Sequence, residues 1–167
     1  MNSSKPFFTA HWENLILITY KADPVLFKEY LPEGLVLDTI EGNSFLSLVA
    51  FSFAGTKVKG VKVPFHVNFP EINLRFYVKE TGEGGAMRRG VVFIREFVPR
   101  TMVSLIANAL YNENYMTLSM KSEIDFINGK VFCEHKIKCR GKNFSIKAEA
   151  EDNPFMPPAD SAEHFFN

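Results

Sequence analysis

"PEINLRFYV", Pro70 to Val78, alternates strictly between two kinds of side chain. Residues two apart share a face of a strand, so Ile72, Leu74, Phe76 and Val78 point one way and Glu71, Asn73, Arg75 and Tyr77 the other. A sheet with one wet face gives this pattern, and so does a strand lining an enclosed space. Two features favour the enclosed space. A solvated face usually carries several lysines, whereas this row sets a single arginine between an amide and a phenol, groups that can satisfy one another when buried. The following strand, "GVVFIREFVP", stays apolar until it places Arg95 and Glu96 at its end, which gathers charge near one mouth of the sheet.

Working outward, "HWENLILITYKA" (residues 11–22) is too continuously apolar for a strand with one wet face and is expected to be central. "DPVLFKEYLPEG" supplies Asp23 as N-cap, Pro24 at the first helical position and Gly34 past the end, the signals of a short helix. Strands are expected at 35–40 and 44–53, joined by the turn cluster "EGNS". Residues 55–69 mix valines with Lys57, Lys59 and Lys62 and contain Pro64, which predicts a long loop or ragged edge. After the row come the turn "TGEGG", a strand at 90–98, and the longest helical pattern, 101–112, apolar at Met102, Leu105, Ile106, Ala109 and Leu110. A meander follows: 115–127 turns at Asn128-Gly129 into 130–140, and a second turn leads to 143–151. About eight strands with two or three short helices predict one β-dominated α+β domain over residues 1–167, a closed or nearly closed antiparallel β-barrel.

Composition narrows the function. Of 167 residues 46% are hydrophobic, with 17 Phe, which supplies a real core. Lys plus Arg equals Asp plus Glu at 19 each, against the basic excess of a nucleic-acid binder. No apolar run approaches the roughly 18 residues of a membrane span, and the start "MNSSKPFF" lacks the layout of a secretory signal, so a cytoplasmic protein is expected. Cys133 and Cys139 would stand about 20 Å apart on one strand, too far to pair, in keeping with a reducing compartment.

Other candidate chemistry is weaker. Cys133 and His135 share a strand face, but zinc needs three or four ligands and no second pair lies near in sequence, so a packed inner face outweighs a metal site. "TGEGGAMRRG" lacks the Gly-Lys-Ser/Thr ending of a phosphate loop and reads as a hairpin turn; Arg88 and Arg89 could grip an anion, but paired surface arginines are usually solvated. No Ser or Cys sits in a G-x-S-x-G context. Neither a metal nor a cofactor is expected.

Four stretches, "TYKADPVLFKEYLPEGLVLD", "SFLSLVAFSF", "PFHVNFPEINLRFYV" and "VVFIREFVPR", in this order, resemble an uncharacterised bacterial family related to acetoacetate decarboxylase. The resemblance covers most of residues 12–115 and continues more loosely through the meander, with "LPEGL" and "EINLRFYV" its specific parts. It implies a cone-like antiparallel barrel with a polar interior, and so the enclosed reading of the row. In the decarboxylase an arginine, acidic residues and a Schiff-base lysine act together. By motif position the arginine falls on Lys21, an acid on Glu71, and the lysine pair on Arg100 and Thr101. Arginine stays charged and cannot form the imine, so that mechanism does not transfer unless Lys121, Lys59 or Lys62 reaches the cavity. The family is also expected to continue past "HFFN", and a strand missing there would leave an edge for a partner subunit, a homo-oligomer, to cover.

The expected function is binding of a small organic acid or similar anion. Arg75 or Arg100 would take the carboxylate, with Glu71, Asn73, Tyr77, Lys21, Arg95 and Glu96 around it. A lysine-independent lyase or hydrolase of a keto acid, with Glu71 as general acid/base, is the enzymatic rival. A structural module with a core filled by Phe and Leu is the third reading.

Overall fold

The structure is a computed structural model that describes residues 8–62, 67–82, 85–99, 115–159 and 161–166. Within them run β1 (Phe8–Ala22), β2 (Val36–Leu37), β3 (Ser44–Val58), β4 (Phe69–Thr81), β5 (Met87–Val98), β6 (Tyr115–Thr117), β7 (Ser119–Ile127), β8 (Lys130–Cys139) and β9 (Lys142–Glu151), then the short helix α1 (Ala162–Phe166). One sheet has the order β1-β3-β4-β5-β6, with β2 pairing the end of β4; a second has the order β7-β8-β9. All pairings are antiparallel except β5 with β6. The expected helix at 101–112 lies outside the described residues, and none of the described helices is long and apolar enough to cross a membrane.

The alternating stretch falls inside β4, at the middle of the larger sheet, and both of its faces are covered. Phe76 and Val78, on the apolar face, form a core with Phe27, and the Phe76 ring stacks on that of Phe27 at 4.7 Å. Phe27 closes a 3-10 turn, Pro24–Phe27, whose first turn is capped by the Asp23 carboxylate accepting from the Val25 amide at 2.9 Å. The predicted helix is thus a single turn.

β1 is an edge strand of its sheet, not a central one. A bulge lies between Glu13 and Ile16, where Asn14 takes φ 54°, and beyond it Ile16, Leu17 and Ile18 are buried or partly buried on both faces of the strand. Trp12 lies opposite Phe53 and Leu17 opposite Val49, so the positions on the face of the polar row are even-numbered before the bulge and odd-numbered after it, while Ile16 is buried on the other face. The segment 115–127 is likewise two strands. The chain breaks at Leu118, whose amide donates to the Val98 carbonyl, and passes from one sheet to the other.

Closure into a barrel is not found among the described residues, which form two sheets. They meet at side chains instead of a continuous ladder. His135 donates from Nε2 to the Asn14 carbonyl at 3.0 Å, which leaves Nδ1 to accept from the Ser122 hydroxyl at 2.7 Å, and the Cys133 thiol lies 3.2 Å from Nε2. His135 is completely buried. The Cys/His pair that suggested a metal is therefore a packed seam, and among the described residues no three His, Cys, Asp or Glu side chains cluster as metal ligands.

Candidate functional site

The row on β4 is sealed from solvent: Glu71 is 2% exposed, Asn73 1%, Arg75 8% and Tyr77 5%. Register explains what surrounds it. Glu71 lies opposite Phe51, Asn73 opposite Val49 on one side and Glu96 on the other, and Arg75 opposite Ser47 and Phe93. Phe69 continues the row at its lower end and forms an aromatic floor with Phe51, Phe53, Val49 and Val98. Lys79 continues it at the upper end, where it and Arg89 pair with the buried carboxylate of Asp38.

Strand alternation decides the fate of the two charges expected at the mouth of β5. Glu96 lies beside Asn73 while its neighbour Arg95 lies opposite Leu74 on the other face, and a register shift between Leu74 and Arg75 then brings Phe93 beside Arg75. Glu96 is accordingly 2% exposed and in the row. Arg95 is not brought to it. Lys21 is exposed at the rim, opposite Phe45. Arg100 and Thr101 lie outside the described residues. Lys59 and Lys62 are exposed, and Lys121 sits on the outer face of the second sheet in an ion pair with Glu123. None of these three reaches the row.

Several members of the site come from other strands. Thr19 Oγ1 lies 2.7 Å from Ser47 Oγ, which lies 2.6 Å from Tyr77 Oη, a chain of three hydroxyls across β1, β3 and β4. Asn73 donates to Glu71 at 3.3 Å. Asn73 Oδ1 and Arg75 Nε are buried and find no hydrogen-bond partner among the described residues. α1 covers the upper end. Arg75 donates from Nη2 to the Phe166 carbonyl at 3.0 Å, the Phe166 ring meets Tyr77 at 5.1 Å and Phe45 at 5.2 Å, and the Arg89 guanidinium stacks on Phe165 at 3.8 Å. The period-2 signal that marked Glu71 to Tyr77 also reaches Lys79, one step further along the same strand. Arg89, expected to be solvated, is instead tied to Asp38 and Phe165; nothing local marks Thr19, Ser47, Asp38 or Phe166, which the register and the chain path bring in.

Chemically, the site presents one buried guanidinium, two carboxylates, an amide and a hydroxyl chain above an apolar floor. Such a set can hold and orient a small polar molecule and exchange protons with it.

The fold is that of acetoacetate-decarboxylase-like proteins. The enduracididine biosynthesis enzyme MppR, complexed with the condensation product of pyruvate and imidazole 4-carboxaldehyde, superposes with a TM-score of 0.63 at 14% identity, over 93% of this chain and 60% of that one. Acetoacetate decarboxylase from Legionella pneumophila gives 0.60 at 13% identity, over 99% and 60%. The uncharacterized protein YqjF of Bacillus subtilis is 26% identical over 123 residues, 70% of this chain and 49% of YqjF. The chain therefore spans about half the length of that relative. With its match over residues 9–167, the chain belongs to DUF2071, a family of uncharacterized conserved proteins.

Proposed function

We propose that the buried row recognises a small organic acid, whose carboxylate lies along the Nε/Nη2 edge of Arg75. The half-used guanidinium carries this reading. That edge is a planar fork matched to the two oxygens of a carboxylate. One prong holds the main-chain carbonyl of Phe166; the other, Nε, is buried with no acceptor among the described residues. A carboxylate taking the place of the Phe166 carbonyl satisfies both. Asn73 and Tyr77, the latter held by Ser47, then orient the remainder of the ligand. The pyruvate condensation product held by the structurally similar MppR supports a 2-oxo acid as the ligand class. Binding is non-covalent in this reading, because Lys79, the lysine that continues the row, is paired with Asp38.

Calorimetric titration with pyruvate and with its neutral methyl ester tests the assignment. Pyruvate is expected to bind and the ester not to. Arg75→Lys, which keeps the charge but loses the fork, should weaken pyruvate binding by about tenfold to a hundredfold. Borohydride added to the complex should trap no adduct by intact mass. Equal binding of the ester, or indifference to Arg75→Lys, would refute it.

Glu71 and Glu96 support an enzymatic extension of the same site. Two carboxylates on one sheet face flank Asn73 beside an arginine, an arrangement suited to moving a proton at a bound keto acid. Turnover of a 2-oxo acid that disappears in Glu71→Gln while pyruvate still binds would establish it; retained turnover in that variant would exclude Glu71.

A further inference from the structure

β9 is a strand of 10 residues that pairs, among the described residues, only with β8. Natural edge strands are usually shortened, bulged, interrupted by proline or given an inward-pointing charge, since an open ladder recruits other strands. β9 lacks the proline and the bulge; its guards are charges, Lys142 at the head of one face and Lys147, Glu149 and Glu151 on the other, and these are of both signs, so a partner strand can answer them. Its pairing with β8 runs without a register shift from Lys142 to Glu151, and it contains no proline. Phe144, Ile146, Ala148 and Ala150 make one face uninterruptedly apolar, and Phe144 is 54% exposed. The opposite face carries Asn143, Ser145, Lys147, Glu149 and Glu151.

We infer that the occupant of this edge is β9 of a second copy of the chain, paired antiparallel about a two-fold axis at Ala148. The charge pattern selects that register. Residues directly opposite one another share a face, so an axis lying between two residues would set apolar side chains against charged ones and is ruled out. An axis at Lys147 sets that lysine against itself, and one at Glu149 makes two Lys147–Glu151 pairs but sets the glutamate against itself. An axis at Ile146 leaves Lys147 opposite Ser145 and Glu149 opposite Asn143. Only with the axis at Ala148 does each Lys147 face the partner copy's Glu149, twice by symmetry, while Ile146 meets Ala150 on the apolar face. Lys147 is 67% exposed and Glu149 50%, so both can turn toward a partner although they already contact Glu134 and Lys130. The product is a continuous sheet running β7-β8-β9 and back through the second copy, with one apolar face.

Sedimentation velocity over about a hundredfold range of concentration tests this pairing, because a dimer assembles by mass action. The full chain is expected to shift from monomer to dimer as concentration rises. Lys147→Glu and Glu149→Lys each create two like-charge contacts and should weaken self-association by about tenfold or more. The double exchange restores the opposition and should recover the dimer. Ala148→Asp, at the axis itself, is an independent disruption, and circular dichroism checks that each variant is folded. A monomer at every concentration, or a dimer that ignores all three single changes, would overturn the inference.

Discussion

At the scale of single residues, the site rests on hydroxyls that hold one another in place and on a guanidinium tied to the Phe166 carbonyl. Ser47 is bonded on both sides, to Thr19 and Tyr77, and is completely buried. Ser47→Ala leaves two hydroxyls short of a partner and should cost about 1–3 kcal/mol. Tyr77→Phe removes one of the same bonds, so the double variant should lose less than the sum of the singles, read from denaturant midpoints. His135 has a different signature. Burial holds its imidazole below the ordinary value of 6.5, only partly opposed by the bond to the Asn14 carbonyl. The unfolded chain therefore takes up that proton as pH falls through about 6.5, before the folded protein does. Stability is expected to be full above that pH and to decline below it; His135→Gln should show a shallower acid decline in urea titrations. The row itself was legible, because alternation and the rarity of lysine are written in nine consecutive residues. Ser47 and Thr19 were not, since nothing in "SFLSLVAFSF" or "LILITYKA" says which strand they will face.

At the scale of elements, legibility follows locality. The Asn128-Gly129 turn was readable because both residues must adopt positive φ, and they do, at 52° and 75°. The bulges in β1 and β5 were not, because a bulge is a relation between two strands and the sequence of one does not contain the other. Each changes which residues share the face of the row: the first moves that face of β1 from even to odd positions, and the second sets Phe93 instead of Ile94 beside Arg75. The two faces of the sheets also differ in what they contribute. Phe76→Ala, which empties the stack on Phe27 beneath the row, should destabilise the protein by about 3–5 kcal/mol. Phe144→Ala, on the open edge, should stay within about 0.5 kcal/mol for the monomer. Thermal melts of the two variants in dilute solution would separate these cases.

At the scale of the whole molecule, two sheets are joined by a seam through Asn14 and His135 and by the crossing at Leu118, and a short final helix lies over the site. The barrel, expected from the strand pattern as well as from resemblance, was the least legible feature, since closure depends on how distant strands meet. The oxygen of Phe166 at Arg75 has a consequence for ligand affinity. It is a competitor carried on the same chain, present at a high effective concentration because the tether to β9 is short. An acid taken up at Arg75 as proposed would first have to displace it, so the affinity measured would be a difference between two occupants of one fork. A chain ending at Ala159 should accordingly bind pyruvate more tightly than the longer one. In the longer chain, the amides of residues 161–166 should exchange with deuterium faster when pyruvate is added, so that the ligand firms the sheet while freeing the last turn.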